Sequence, residues 1–218
     1  QALRRGQPAV ADVPVAAPFV IVGLPRTGTT LLQTALAAVP GLRTPLAWET
    51  RLPARPPAQL SERERARHVA RAVREVRFVH RMSPALAASH EIGAQAPEEC
   101  NPLLLTSARC LLFALYGCPR YEDYLYATGF RGAYDWHRPH LQAPAFGQPA
   151  CTWVLKAPVH MASLPELLRA YPDARVVFTH RDPVASVAST AGLNAALLML
   201  AAPSVDRRAT GARALAML

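Results

Sequence analysis

The sequence predicts an α/β fold of three layers, in which helices cover a central parallel sheet. The first observation behind this prediction is an apolar run at residues 19–22, which leads into a loop rich in Gly and Thr and then into a helical pattern at 30–39. The second is the alternation of strand-like and helical patterns between residues 152 and 189. Strands that alternate with helices form parallel sheets, because each connection must cross a face of the sheet.

Composition places the chain among globular proteins with an anionic partner. Of its 218 residues, 51% are apolar and 18% are charged, which suits one α/β domain with a full core. The net charge of +9 favours nucleotides, nucleic acid or acidic lipid as partners. Because the basic residues are scattered rather than clustered, we expect no nucleic-acid partner.

The cysteine and hydropathy patterns predict a cytoplasmic protein. The four cysteines show no C-x-x-C pair and no zinc-site spacing, so we expect reduced, mostly packed thiols and no metal site. The longest apolar stretch, residues 191–202, is shorter than the roughly 20 residues of a membrane span. Residues 1–17 lack the apolar core of a signal peptide. The sequence does not indicate a membrane partner.

The loop after the first predicted strand fits a phosphate-binding loop. Gly23, Gly28 and Thr30 match the pattern G-x-x-x-x-G-K-[ST], but Thr29 occupies the lysine position. Arg26 is expected to supply the missing charge. Free backbone N–H groups and the helix dipole attract an anion to a helix N-terminus. The N–H groups expected to surround the phosphate are those of Gly28, Thr29, Thr30 and Leu31.

The middle of the chain predicts several helices. Ser61 and Glu64 form a capping box that opens an Arg-rich helix reaching about Val79. Further helical patterns span 97–115 and 121–145. Two glycines and two prolines in and between them are expected to interrupt the helices. These are Gly117, Pro119, Gly129 and Pro139.

The last third of the chain predicts two more strands and two more helices. The strands are expected at 152–155 and 175–179, and the helices at 161–171 and from Asp182 past Ser189. The carboxyl ends of parallel strands meet at one edge of the sheet. We therefore expect the phosphate loop, Lys156 and residues 179–183 to share one ligand.

Two basic residues at this edge each have a functional and a structural interpretation. Lys156 is the one lysine among the 24 basic residues, either because its function requires lysine or by chance. Arg181 and Ser189 lie at a strand end and about two turns into the next helix, where a guanidinium and a hydroxyl suit a second phosphate. The alternative is a surface arginine and a serine that packs within its helix.

Four segments together carry a resemblance to a known family. GLPRTGTT at 23–30 and RDPVASVAS at 181–189 resemble the two nucleotide-binding motifs of sulfotransferases that use 3′-phosphoadenosine 5′-phosphosulfate (PAPS). PLAWETRLP at 45–53 and WVLKAPVH at 153–160 are similar to the bacterial branch of that superfamily and to tyrosylprotein sulfotransferases. The resemblance covers about residues 18–195. It implies a P-loop-type fold and sulfuryl transfer from PAPS to a hydroxyl or amine, with adenosine 3′,5′-bisphosphate as product and no metal.

The resemblance also implies roles for individual residues. The 5′-phosphosulfate would be held by Arg26, Thr27, Gly28, Thr29 and Thr30, and the 3′-phosphate by Arg181 and Ser189. Glu49 matches the general base of tyrosylprotein sulfotransferases, and Lys156 matches the lysine that assists the bridging oxygen. Arg26 stands where the cytosolic branch has lysine.

The identity of the general base stays open at this point. Glu49 has the motif context, whereas His160 follows Lys156 closely, and His137 and His140 lie in an aromatic stretch. Arginines near Glu49, namely Arg26 and Arg51, would lower the pKa of its carboxyl group unless burial raises it. A lower pKa would weaken Glu49 as a base.

The resemblance also shapes the expected domain organisation. We expect residues 1–17 to be a tether and 18–218 to be a single sulfotransferase-like domain. A helical insert at about 53–147 would form the acceptor side, for a small-molecule, lipid, glycan or peptide acceptor. The family's usual C-terminal section, with a glycine-containing segment over the 3′-phosphate, is not recognisable in the sequence.

Two other functions remain compatible with these motifs. One is a P-loop kinase or nucleoside triphosphatase, in which Asp182 would bind magnesium; the missing loop lysine argues against it. The other is a non-catalytic nucleotide-binding protein of the same fold.

Overall fold

A computed structural model describes residues 8–51, 55–89, 93–111, 118–202 and 204–216. The interruption predicted at Gly117 and the last part of the helix predicted at 97–115 lie outside the described residues.

The described residues form a four-stranded, all-parallel sheet flanked by helices. Its strands are β1 (Phe19–Gly23), β2 (Leu42–Arg43), β3 (Thr152–Lys156) and β4 (Arg175–Thr179), in the spatial order β2–β3–β1–β4. The three predicted strands are confirmed. The sequence analysis missed β2, because two residues are too short for a periodic pattern.

The register of β1 aligns the carboxyl ends of three strands. Ile21 pairs with Lys156 of β3, and Gly23 pairs with Thr179 of β4. The segments that follow these strands therefore begin side by side at one edge of the sheet, as predicted for open parallel sheets.

Eleven α-helices occur in the described part of the chain. They are α1 (Pro8–Ala11), α2 (Thr29–Ala37), α3 (Glu62–Met82), α4 (Pro84–Ser89), α5 (Asn101–Leu105), α6 (Pro119–Thr128), α7 (Ala133–Ala145), α8 (Val159–Ala162), α9 (Leu164–Ala170), α10 (Pro183–Leu198) and α11 (Arg207–Ala216). Short 3-10 helices lie at Glu49–Arg51 and Pro57–Gln59. Helices α3 to α7 lie between β2 and β3 and form the helical insert. Over the described residues, no helix is both long enough and apolar enough to cross a membrane.

The core lies around the two central strands. Val20, Val22 and Leu155 are fully or almost fully buried and pack with side chains of the insert, including Leu103 and Leu125. A strand covered on both faces needs apolar residues at successive positions, which explains the continuous apolar run of β1. Edge strand β4 is only partly buried.

The capping box predicted for the long helix is confirmed. The Ser61 hydroxyl accepts a hydrogen bond from the Glu64 backbone N–H, and the Glu64 carboxylate accepts one from the Ser61 N–H at 2.9 Å. The helix that follows, α3, continues beyond Val79 to Met82.

Three other helix predictions agree with the structure only in part. Of the helix predicted at 97–115, the described residues are helical only at Asn101–Leu105. The helix predicted at 161–171 is divided at Ser163, and Pro165 lies in the first turn of α9, where its missing N–H costs nothing. In the helical region predicted at 121–145, the interruption predicted at Gly129 is confirmed: the chain leaves the helix between Gly129 and Gly132, which both have positive φ. Pro139, by contrast, lies inside α7 without ending it.

Tertiary packing explains why α7 tolerates an internal proline. A proline removes one backbone hydrogen bond, but α7 packs against α1, α5 and α9, which compensates for that loss. The sequence pattern could not show these contacts, because they come from distant segments.

The segment expected to be a tether contains a docked element. Val10 and Val15 are buried, and α1 lies against α7. The Gln142 amide donates hydrogen bonds to the carbonyl oxygens of Ala11, at 2.7 Å, and Val13, at 3.0 Å. These contacts attach residues 8–15 to the insert.

Gly23 lies where β1 and β4 approach each other, and this generates a stability prediction. A Cβ atom added there would lie 2.8 Å from the Thr179 carbonyl oxygen and 2.9 Å from Thr27 Oγ1. We expect Gly23→Ala to lower the free energy of unfolding by about 1–3 kcal/mol, because the neighbouring backbone must move. Thermal unfolding followed by circular dichroism measures the change.

Gly192→Ala is the matched control for this variant. Gly192 lies in α10, and a Cβ atom there meets no atom within 4 Å. We expect it to be neutral or to stabilise the protein by up to about 1 kcal/mol. Equal unfolding temperatures for the two variants would contradict the described approach of β1 to β4.

Candidate active site

The loop between β1 and α2 is held in place by hydroxyl contacts. Thr27 Oγ1 donates a hydrogen bond to the Leu24 carbonyl oxygen at 2.7 Å and lies 2.6 Å from Thr179 Oγ1. Arg26 has a φ of 70°, a left-handed conformation that is uncommon for a residue with a side chain. The loop is therefore fixed to the end of β4 and carries local backbone strain.

The start of α2 is suited to an anion. Gly28 is the N-cap residue and has a φ of 90°. Because glycine has no side chain, the first-turn N–H groups are not capped by one. A Cβ atom placed on Gly28 would meet no atom within 4 Å, which leaves open space at the helix N-terminus. The helix dipole and these N–H groups together favour a phosphate or phosphosulfate group there. This geometry agrees with the phosphate loop that the sequence predicts.

Lys156 reaches this loop from the neighbouring strand. It is the last residue of β3 and only 2% exposed, and its Nζ donates a hydrogen bond to Thr30 Oγ1 at 3.2 Å. Lys156 of β3 therefore supplies the positive charge that the loop itself lacks, because Thr29 occupies the usual lysine position. This contact joins the phosphate loop and Lys156, as the sequence analysis expected.

The same ammonium group has an acidic partner that the sequence analysis missed. Glu99 Oε1 lies 2.5 Å from Lys156 Nζ, and the Asn101 amide donates a hydrogen bond to Glu99 Oε2 at 2.6 Å. The available signal was the pair of carboxylates at Glu98 and Glu99, but the sequence did not reveal their proximity to β3.

Arg26, Arg181 and Ser189 also come together. Arg26 Nε donates a hydrogen bond to Ser189 Oγ at 3.0 Å, and Arg181 Nη1 donates one to the Arg26 carbonyl oxygen at 3.0 Å. The residues that the resemblance divides between two phosphates are therefore neighbours in the structure. Asp182 caps α10, since its carboxylate accepts a hydrogen bond from the Val184 N–H at 3.0 Å.

Glu49 lies apart from the contacts of Lys156. It is only 6% exposed, and its carboxylate accepts hydrogen bonds from Arg43 Nη2 at 2.6 Å and from the Leu46 N–H at 3.3 Å. Burial raises the pKa of Glu49, although Arg43 and, more weakly, Arg65 act to lower it. Glu49 lines a cavity of about 510 Å³ together with Arg43, Trp48 and Arg65.

The arginines expected to act on Glu49 have other partners. Arg51 pairs with Glu75 at 3.0 Å and with Glu98 at 3.5 Å. Arg26 bonds to Ser189, as described above. The arginine that pairs with Glu49 is instead Arg43, because the short strand β2 brings it beside that carboxylate.

The histidines considered as bases lie mostly in the core. His160 and His137 are fully buried, and burial lowers the pKa of His160 to about 3 and that of His137 well below its ordinary value. His140 Nδ1 contacts the Trp136 carbonyl oxygen at 2.6 Å. The imidazoles of His137 and His160 therefore cannot contact an acceptor without rearrangement, whereas His140 is only partly buried.

Comparisons with known proteins identify the family. The sequence model described as "Sulfotransferase family" matches residues 18–212. The chain belongs to the sulfotransferase family. The predicted fold class, an α/β fold of the P-loop type around a parallel sheet, is confirmed. A search of curated proteins found no match.

Two solved structures are similar to this sulfotransferase-family chain. Sulfotransferase STF1 from Mycobacterium tuberculosis H37Rv is 31% identical, with a TM-score of 0.74 over 89% of this chain and 53% of its own. Sulfotransferase STF9 from Mycobacterium avium is 25% identical, with a TM-score of 0.80 over 98% of this chain and 56% of its own. The chain thus spans about half the length of these relatives.

The ion pair of Lys156 generates a second stability prediction. We expect Glu99→Gln to lower the free energy of unfolding by about 3 kcal/mol, because it removes the carboxylate that pairs with a buried ammonium. In the double variant Glu99→Gln/Lys156→Met, the loss of unfolding free energy should be smaller than the sum of the losses in the two single variants, by about 1–3 kcal/mol. Urea denaturation of all four proteins gives this coupling energy.

Glu166→Gln provides the control for this cycle. Glu166 pairs at 3.4 Å with Arg169, whose side chain is 66% exposed. Removing that charge should change stability by less than about 0.5 kcal/mol. Strictly additive losses at Glu99 and Lys156 would show that their ion pair contributes nothing to the fold.

Proposed function

We propose that this chain transfers a sulfuryl group from PAPS to a hydroxyl or amine acceptor. The observation that carries the proposal is the hydrogen bond from Lys156 Nζ to Thr30 Oγ1. This contact brings a buried cation to a phosphate loop that lacks its own lysine. The cation, Lys156, is the lysine that the sulfotransferase resemblance implies at this position. Membership of the sulfotransferase family supports the reaction class.

The residues around the loop suit the two anionic ends of PAPS. The first-turn N–H groups of α2, together with Arg26, would hold the 5′-phosphosulfate. Arg181 and Ser189 would hold the 3′-phosphate through charge-assisted hydrogen bonds. The contact between Arg26 and Ser189 implies that the two subsites adjoin, and that Arg26 can contribute to either.

Transfer chemistry of this kind requires charge stabilisation more than covalent catalysis. PAPS supplies the sulfuryl group on a good leaving group, whose bridging oxygen gains negative charge as its bond to sulfur breaks. Lys156 and the N-terminus of α2 would stabilise that charge, and this would lower the barrier because the interaction strengthens in the transition state. The loop N–H groups would orient the donor for in-line attack.

Two carboxylates are candidates for the base that takes the acceptor proton. Glu49 carries the motif context, and its raised pKa brings it closer to the neutral range in which a base is most effective. Glu99 is the second candidate, because it contacts the same ammonium that would assist the leaving group. We propose Glu49 as the base and Glu99 as the residue that positions Lys156.

The two alternative functions predict different ligands. A magnesium-dependent kinase or nucleoside triphosphatase would need Asp182 to bind the metal, yet this carboxylate caps α10. A non-catalytic protein of the same fold would bind the nucleotide without turnover. Binding and activity measurements therefore separate all three functions.

Titration calorimetry with adenosine 3′,5′-bisphosphate tests the donor site. We expect magnesium-independent binding, which Arg181→Ala weakens by roughly 10- to 100-fold because one phosphate loses a charge-assisted contact. Arg169→Ala is the control, since Arg169 lies near the end of α9, just before β4 and toward the opposite edge of the sheet. The affinity of the Arg169→Ala variant for the bisphosphate should equal that of the parent. Magnesium-dependent ATP binding without bisphosphate binding would support the kinase alternative instead.

The base is tested by pH–rate profiles with labelled PAPS, after a screen of phenol, lipid, glycan and peptide acceptors. We expect Glu49→Gln to lower kcat by about 100- to 10,000-fold. In the parent, kcat/KM should rise with pH through a pKa above the ordinary value of 4.5, because the base must lose its proton and burial raises its pKa. Glu99→Gln should lower kcat but keep this acidic limb.

Two outcomes would change the assignment. If Glu99→Gln removes the acidic limb and Glu49→Gln keeps it, Glu99 is the base. If the parent binds the bisphosphate but sulfates no acceptor, the non-catalytic alternative is favoured.

A further inference from the structure

Three side chains with metal-binding atoms meet in the core, outside the residues proposed to act in transfer. Cys100, His137 and His160 are all fully buried, and one ligand atom of each lies within 4.8 Å of the others. They come from three elements: Cys100 precedes α5, and the two histidines belong to α7 and α8. No metal site was predicted, because the cysteines show no zinc-site spacing and the three residues of this cluster come from separate segments of the chain.

Hydrogen bonds fix which nitrogen of His160 carries the proton. Ser163 Oγ donates its one proton to the Val159 carbonyl oxygen at 2.7 Å, so it must accept from Tyr134 OH, also at 2.7 Å. Tyr134 then has no second proton and must accept from His160 Nδ1 at 2.8 Å. His160 Nε2 therefore carries a lone pair, which is the form that binds a metal.

Both histidines have a buried nitrogen that is not satisfied. His137 Nδ1 contacts Tyr171 OH at 2.8 Å, whereas the Nε2 atoms of His137 and His160 have no hydrogen-bond partner in the described part of the chain. An unsatisfied buried polar atom is costly and therefore uncommon. Two such nitrogens in one cluster with a thiol indicate a missing common partner.

A cation with affinity for sulfur and nitrogen meets this requirement. Zinc accepts thiolate and imidazole ligands in tetrahedral geometry, with Zn–S near 2.3 Å and Zn–N near 2.0–2.1 Å, so ligand atoms lie about 3.3–3.6 Å apart. The present separations, of up to 4.8 Å, would have to close by about 1 Å. Hydrogen bonds from the other imidazole nitrogen to a fixed group are usual in zinc sites, and Tyr134 and Tyr171 occupy those positions here.

We propose that Cys100, His137 and His160 bind one Zn²⁺ ion in the core, with a water molecule as the fourth tetrahedral ligand. Binding forms one Zn–S bond, two Zn–N bonds and one Zn–O bond to that water, and it releases the Cys100 thiol proton to solvent with no change of oxidation state.

The site would join the segment of Glu99 to the sheet. The Cys100 N–H donates a hydrogen bond to the Lys156 carbonyl oxygen at 2.8 Å. A metal on Cys100 would therefore reinforce the position of Glu99 beside Lys156 by linking it to α7 and α8. The proposal itself does not depend on sulfuryl transfer, because metal binding is measured without donor or acceptor.

Cobalt titration of the metal-depleted full chain tests the site. We expect saturation at one equivalent, with the thiolate-to-cobalt absorption and the intense visible bands of tetrahedral cobalt. Cys100→Ala should remove the thiolate band. Tyr134→Phe should keep that band but weaken zinc affinity by about 10- to 100-fold. The control Cys118→Ser/Cys151→Ser, which alters the exposed and half-buried cysteines, should titrate like the parent.

Thermal unfolding keeps the test decisive if Cys100→Ala fails to fold. The parent and the Cys118→Ser/Cys151→Ser control should both unfold at higher temperature with zinc than with a chelator. The proposal is overturned if the parent shows neither the cobalt bands nor a zinc-dependent shift. It is also overturned if the thiolate band persists in Cys100→Ala or disappears in the control.

Discussion

The pairing of β1 between β3 and β4 is the constraint on which the candidate site depends. Side chains alternate along a strand, so a one-residue shift of β3 would turn Lys156 to the opposite face of the sheet. In the register described, Ile21 lies beside Lys156 and Gly23 beside Thr179. The close approach at Gly23 and the hydroxyl contact between Thr27 and Thr179 hold the phosphate loop against β4.

A second requirement follows from placing a cation at this edge. Lysine is a compact point charge, whereas arginine carries its charge on a broad planar group, and this otherwise arginine-rich chain has its one lysine at the buried end of β3. Burial makes the isolated ammonium unfavourable, which explains the carboxylate of Glu99 beside Lys156. The pair then depends on the backbone around Cys100, which bonds to β3. Loop, lysine and carboxylate therefore form one connected unit.

The helical insert has a separate part in the structure. It supplies Arg65, Val69 and other walls of the cavity beside Glu49, and its helices α5 and α7 help to bury the polar cluster of Cys100, His137 and His160. An acceptor site and a structural core cluster would thus be built from the same segment. The hydrogen bond from the Cys100 N–H to the Lys156 carbonyl oxygen links the insert to the end of β3.

Sequence alone determined the features that depend on neighbouring residues: the strand, loop and helix around Gly28, the capping box of α3 and the Arg181 to Ser189 segment. It could not show β2, which is too short to produce a pattern, or the continuity of α7 through Pro139, which depends on packing. Glu99, the Arg43 partner of Glu49 and the buried cluster were equally hidden, because each joins residues from separate segments. Only the tertiary structure could decide these contacts, since charge, burial and hydrogen bonding at a site are set by whichever residues the fold brings within a few ångströms.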